Sequence, residues 1–197
     1  VLRLGFEYLA SLELTQLGTP LLNRLCDELR TPCNLVVRDG RSIVYVAKVA
    51  PASPFASSVT VGTRLPAHAT VLGRILLEDL TLPQLRALYP EDRLETFSPS
   101  TPKTVNELFD MVQADRQRGY VLGEGFFESN ISTIAAPVRD HSGHIVAALG
   151  ATITSGHIDE NRIDEMVQRV RGTADEISGL LNYSPARAAK VVPLRSA

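Results

Sequence analysis

Gly119–Gly156 reads GYVLGEGFFESNISTIAAPVRDHSGHIVAALGATITSG, and this stretch decides the fold. Two runs of strand character, Thr133–Arg139 and His144–Ile153, flank Asp140-His141-Ser142-Gly143. A polar cluster ending in glycine between apolar runs predicts a β-hairpin. In the second run Ile145, Ala147, Leu149, Ala151 and Ile153 alternate onto one face, and His144, Val146, Ala148, Gly150 and Thr152 onto the other. Only Val146 gives that second face any bulk, so it leaves space rather than filling it. Either a helix packs closely there or a ligand does.

On the N-terminal side, Leu2, Leu4, Phe6, Leu9, Leu12 and Leu14 make an apolar helical segment. Thr19-Pro20 then reads as an N-cap and first-turn proline opening a second helix, with Leu21, Leu22, Leu25 and Leu29 at helical spacing. Cys33–Arg38 and Ile43–Val49 are β-branched runs joined across Asp39-Gly40, a second hairpin signal. Pro51 and Pro54 punctuate a loop before an expected short strand, Ala56–Val61. Three helices follow. The first carries Leu72, Ile75 and Leu76, the second opens at Thr81 with Pro83, and the third opens on a Thr104/Glu107 capping box and ends at Gly119. Beyond the opening hairpin, Asp159 and Glu160 start a last helix with the stripe Ile163, Met166, Val167, Val170, Ala174, Ile177, Leu180 and Leu181.

The order is two helices, three strands, three helices, three strands, one helix. Strands grouped by hairpins rather than alternating strictly with helices predict an α+β domain, an antiparallel sheet of about six strands flanked by helices.

Composition limits what such a domain can serve. The 197 residues are 44% hydrophobic and 21% charged, enough for a full core. Net charge is −2, and no basic stripe of the kind an autonomous nucleic-acid binder needs is present in the sequence. Cys26 and Cys33 are too few for a disulfide framework and suit a reducing, cytoplasmic setting. No apolar run reaches the length of a membrane span. The first residue is Val1 rather than Met, so the chain reads as a fragment or a processed form.

Catalytic constellations are absent from the pattern. His68, His141, His144 and His157 form no close metal-ligating set, so neither a metal nor a cofactor is expected. Gly119, Gly123 and Gly125 do not reproduce a dinucleotide-binding loop, and no strand–GxSxG–helix unit exists. Cys33 opens a strand and pairs on paper with His68 as a thiol enzyme, but a small cysteine beside a β-run is usually structural. A purely structural dimerisation domain is the other alternative to a binding module.

A binding module fits better. Gly62-Thr63-Arg64-Leu65-Pro66-Ala67-His68-Ala69-Thr70-Val71-Leu72-Gly73-Arg74 resembles the G-x-R-L-P-x-H-A-T-x-x-G-[KR] motif of the effector-binding domain of IclR-type bacterial transcriptional regulators. Arg118-Gly119-Tyr120, Ala135-Ala136-Pro137-Val138-Arg139-Asp140, Gly143 and Val146-Ala147-Ala148-Leu149 match that family's later blocks in order, so the resemblance covers about Leu2 to Leu181. It implies a GAF-like domain over 19–182, preceded by a linker-helix remnant over 1–18 and followed by a tail over 183–197. It also implies a homodimer or homotetramer, with operator DNA read by a separate N-terminal winged helix-turn-helix domain.

The resemblance further implies a small-molecule effector, an organic acid, held between the sheet and the helix after the R-L-P motif. Carried over by position, Ser57 on the expected third strand and Val71 and Leu72 in the helix would line the site. Gly123 and Asn130 would border it from the loop, and Thr133, Gly150 and Thr152 from the hairpin. The hydroxyls of Ser57, Thr133 and Thr152 would bond a carboxylate or carbonyl, and amides near Ala69–Leu72 would favour an anion. Many family members carry cysteine where Thr133 stands, glycine where Asn130 stands and an acid near Gly123, whereas this chain adds Phe126-Phe127-Glu128. Those replacements imply an aromatic or hydroxylated acid over a two-carbon keto acid, unless the two rings anchor the loop instead. Effector binding would shift the oligomer between arrangements and so alter operator binding.

Overall fold

The structure is a computed structural model, and it describes residues 2–52, 59–154 and 158–185, with side chains described from Leu12 onward. Helix α1 runs unbroken over Leu2–Leu29 with Pro20 inside it, where the sequence predicted two helices split at Thr19-Pro20. The apolar stripe explains the difference. Leu14, Leu22, Leu25 and Leu29 are buried, and between Leu14 and Leu22 the helix presents Gly18 to Leu35. An interior proline costs about 3 kcal/mol, and burying three leucines beyond it at about 1.5–3 kcal/mol each outweighs that. The Thr19 hydroxyl is not a cap; it turns back to donate to the Thr15 carbonyl at 2.7 Å.

Strands β1 (Cys33–Asp39) and β2 (Ser42–Val49) form the first hairpin. The third strand, β3, is Arg64–Pro66, paired antiparallel with β2. The expected strand at 56–61 lies largely outside the described residues, and 59–61 are not strand. Proline suits the end of β3 because nothing in the described sheet pairs beyond it. A short 3-10 turn, Ala67–Ala69, leads into α2 (Val71–Leu77), then α3 (Leu82–Leu88) and α4 (Val105–Arg118). Thr104 caps α4 by accepting from the Glu107 N–H at 3.2 Å. The Glu107 carboxylate takes the Lys103 N–H rather than that of Thr104, so the predicted capping box is only half made. Strands β4 (Val121–Glu124), β5 (Ser132–Arg139) and β6 (Ile145–Ile153) and helix α5 (Glu160–Leu180) complete the chain.

The six strands form one antiparallel sheet in the order β3-β2-β1-β6-β5-β4. The predicted hairpin is β5–β6, its turn closed by the Gly143 N–H on the Asp140 carbonyl at 2.9 Å. Gly143 sits at φ 85°, a left-handed conformation that glycine takes without strain. Helices α1 and α5 cover one face of the sheet, packing on Leu35, Ala147, Leu149 and Ala151. Helix α2 covers the other, on Val36, Ala135 and Ala148. Leu180, read as part of the α5 stripe, is half exposed.

Two bulges redirect side chains. In β6, Val138 faces Ala147 while Arg139 faces Ile145, leaving Val146 as the extra residue. Alternation therefore holds from Ala147 to Ile153 but is exchanged before it, so that Ile145 joins the α2 side and Val146 the α1 side. In β2, Val36 faces Tyr45 while Leu35 faces Ala47, so Val46 is the extra residue.

Candidate functional site

The small-residue face of β6 serves both a helix and a cavity. At Gly150 an added Cβ would lie 2.7 Å from Leu72 Cδ2, and at Gly123 it would meet Val71 Cγ2 closer still. These two glycines let the first turn of α2 settle onto the sheet. Past Gly150 the strand carries Thr152, and there the helix no longer reaches the sheet. A cavity of about 220 Å³ opens in that space, between β1, β2, β5, β6, the start of α2 and the 126–131 loop.

The start of α2 is shaped by Thr70. Its hydroxyl accepts the Gly73 N–H at 3.1 Å and its carbonyl accepts the Arg74 N–H at 3.0 Å. The Gly73 amide is thus committed to the cap, and of the Ala69–Leu72 amides that the sequence suggested for an anion, that of Thr70 donates to the Ala67 carbonyl at 3.4 Å. The other end of α2 is fastened by charge. Arg74 and Asp115 are both buried and pair at 2.5–2.7 Å, and Arg118 adds a second contact to the Asp115 carboxylate at 2.8 Å. One residue past α2, Glu78 is buried with Arg139 3.9 Å away. Asp79 accepts the Ile145 N–H at 2.7 Å, tying the helix to the hairpin.

Of the residues singled out from sequence, Val71, Leu72, Gly123, Thr133 and Thr152 all border the cavity. Gly150 does not; Leu72 covers it. Asn130 is exposed in the loop after β4 and is not on the wall. Ser57 lies outside the described residues. The aromatic pair does both things that were weighed for it. Phe126 is buried, lines the cavity and lies under the Arg74 guanidinium at 4.8 Å, while Phe127 lines it and packs against Phe97 at 5.2 Å.

The sheet adds residues that the sequence reading missed. Across the strands Lys48 pairs with Asn34, Asn34 with Gly150, Thr152 with Thr133, and Thr133 with Gly123. Directly opposed residues on one face hold their Cβ atoms about 4.5–5.5 Å apart, so Lys48, Asn34, Thr152 and Thr133 form one polar floor. Asn34 Nδ2 donates to Thr152 Oγ1 at 3.3 Å, and Thr152 Oγ1 lies 3.5 Å from Thr133 Oγ1. Lys48 donates to the Val59 carbonyl, and burial lowers its pKa, so an anion beside it would be welcome. Tyr45 completes the wall, its phenol pushed up to about 12 by burial and therefore neutral.

Cys33 and His68 are not brought together. Cys33 packs among the residues facing α1 and α5, with its thiol pushed well up by burial and its Sγ 3.5 Å from the Thr31 carbonyl. His68 lies on the other side of the sheet, with Nε2 on the Glu95 carbonyl at 2.8 Å and its ring against Tyr89 and Phe97. A thiol nucleophile needs a lowered pKa and a base within reach, and Cys33 has neither. Among the described residues no group of His, Cys, Asp and Glu could hold a metal ion, and no helix is long and apolar enough to cross a membrane.

Comparison with known proteins gives this arrangement a lineage. Residues 6–179 match the family described as "Bacterial transcriptional regulator IclR C-terminal". The Pca regulon regulatory protein of Pseudomonas putida is 31% identical over 166 residues, which are 84% of this chain and 57% of that protein. A crystal structure from Rhodococcus sp. RHA1 is 31% identical with a TM-score of 0.81, covering 92% of this chain and 74% of that one. The inducer-binding domain of the Acinetobacter transcription factor PobR, a double mutant in complex with 3-hydroxybenzoic acid, is 27% identical with a TM-score of 0.74, covering 84% of this chain and 97% of that one. The α+β fold, its six-stranded antiparallel sheet and the matched span agree, and the chain belongs to the IclR family of bacterial transcriptional regulators, as their C-terminal effector-binding domain.

Proposed function

We propose that this domain senses a single-ring aromatic carboxylic acid, held in the cavity between α2 and the sheet. One observation carries the reading: the helix and loop supply Phe126, Phe127, Val71 and Leu72 to the lining, with Glu128 beside them, while the strands supply Lys48, Thr133 and Thr152. Such a division suits a ligand with a flat apolar body and one anionic end. Lys48 would pair with the carboxylate and the threonine hydroxyls would orient the polar edge. The PobR complex with 3-hydroxybenzoic acid, a relative of the same fold, supports this ligand class.

The chain spans little more than half of the Pseudomonas putida regulator that it matches. The rest of the reading follows the family: a cytoplasmic homo-oligomer whose operator contacts are made by an N-terminal domain. Binding would change the relative stability of oligomer arrangements, and α1 would pass that change on. The relatives are named as regulators, which favours a sensor over an enzyme.

A thermal-shift panel tests the ligand class. Aromatic acids at a hundred times their dissociation constant should stabilise the fold by about 2.7 kcal/mol, while glyoxylate and pyruvate leave it unchanged. Stabilisation by short aliphatic acids alone would sink the aromatic assignment. A domain that stays monomeric in size-exclusion chromatography would sink the oligomer mechanism.

A further inference from the structure

Asn34 is 4% exposed and lines the cavity floor, and while its amide nitrogen bonds Thr152, its Oδ1 has no partner. A buried amide oxygen left without a hydrogen bond is a costly arrangement, and native proteins keep few of them. The groups around it define what would satisfy it. Thr152 Oγ1 receives the Asn34 Nδ2–H and lies within reach of Thr133 Oγ1. A hydroxyl has one proton to give. Either threonine can donate to the other, so one hydroxyl proton of the pair is left over, and the floor offers one acceptor, Asn34 Oδ1, and one donor, the remaining threonine hydroxyl.

A group that both donates and accepts from the same atom fits that pair, and in small organic acids that group is a hydroxyl. We propose that Asn34 is a specificity-determining residue that makes the site selective for hydroxylated acids, the ligand hydroxyl donating to Asn34 Oδ1 and accepting from the remaining hydroxyl of the Thr133–Thr152 pair. The inference rests on the acid-binding reading above. It adds an orientation: Lys48 faces Asn34 across β1 and β2, so carboxylate and hydroxyl are read by neighbouring positions on one face of the sheet. An acid without a hydroxyl leaves Asn34 Oδ1 buried and unsatisfied. A methoxy group can accept but cannot donate, and it fails for the same reason.

Isothermal titration of the domain with matched acids tests this. The probes are benzoate, 3- and 4-hydroxybenzoate and their methoxy analogues, with propionate and lactate as the aliphatic pair. At least one hydroxylated acid should bind about five- to tenfold more tightly than its deoxy partner, the range of one neutral hydrogen bond, and methoxylation should abolish the gain. Asn34→Leu should bring the ratio to within about twofold while the deoxy acid still binds. The wild-type ratios carry the test if that variant does not fold. Equal binding of each acid and its hydroxylated partner overturns the role of Asn34 and leaves the acid site standing, as does a ratio that survives in Asn34→Leu. Binding of none of these acids overturns both.

Discussion

Leu72 rests on Gly150 so closely that a Cβ there would lie 2.7 Å from its Cδ2. The contact fixes how far α2 descends onto the sheet, and so sets the height of the cavity that begins one turn of the pleat further along, at Thr152. The resemblance named Gly150 among the ligand-lining residues; in the fold it lies beneath Leu72, beside the cavity rather than on its wall.

Gly150→Ala should therefore act on stability and on binding together. Forcing a methyl into a packed contact costs about 1–3 kcal/mol, because Leu72 must move and α2 with it. Urea denaturation should show the loss, and acid binding should weaken in the same variant. An Ala variant as stable as wild type would mean that Leu72 has room to turn aside.

Lys48→Met keeps the aliphatic stem and removes the ammonium. Hydrogen bonds to charged groups contribute about 1.5–3 kcal/mol, so carboxylate affinity should fall roughly ten- to a hundredfold, with fold stability little changed. Titration calorimetry reads this directly. Unchanged affinity would move the carboxylate away from β2.

The reach of the sequence can be judged from these residues. Thr133 and Gly123 were reached only through the family resemblance, whereas Thr152 was legible because the second half of β6 obeys simple alternation. Lys48 was not. Counting by twos from Ile43 and Tyr45 puts Lys48 on the α1 side, and only the extra residue Val46 turns it into the cavity. A bulge is written in pairing between strands distant in sequence, so no local pattern reveals it. Asn34 was within reach: it alternates with Cys33 and Leu35 and shares a face with Val36, and a lone amide in an apolar run was the signal. The break read at Thr19-Pro20 failed for the opposite reason, a strong local signal overridden by leucines buried on both sides of it.

The buried pair Arg74–Asp115 anchors α2 to α4. Removing one partner strands a charge in the core, so Asp115→Ala should cost about 3–5 kcal/mol. Replacing both with apolar residues of similar size, Arg74→Met with Asp115→Leu, should recover most of that. A double variant as unstable as the single one would show that Arg118, which also contacts Asp115, is the partner left uncompensated.

Glu78 gives the fold a pH dependence of unusual sign. Burial is the main cause that raises its carboxyl from 4.5 to about 7, with Asp115 and Asp79 adding to the rise and Arg139 and Arg116 opposing it. Neither carboxyl oxygen has a hydrogen-bond partner, and Arg139 is 3.9 Å away. Between pH 4.5 and 7 the folded protein holds a proton that the unfolded chain has released, so stability falls as pH rises through that window. A shift of this size corresponds to about 3 kcal/mol lost by the top of the window. Urea denaturation at intervals from pH 4.5 to 8 should show the decline, and Glu78→Gln, which cannot ionise, should flatten it and be the more stable protein above pH 7. A variant with the wild-type slope would assign the dependence to another group, and a wild type whose stability rises across the window would mean that Arg139 closes on Glu78 and holds it ionised.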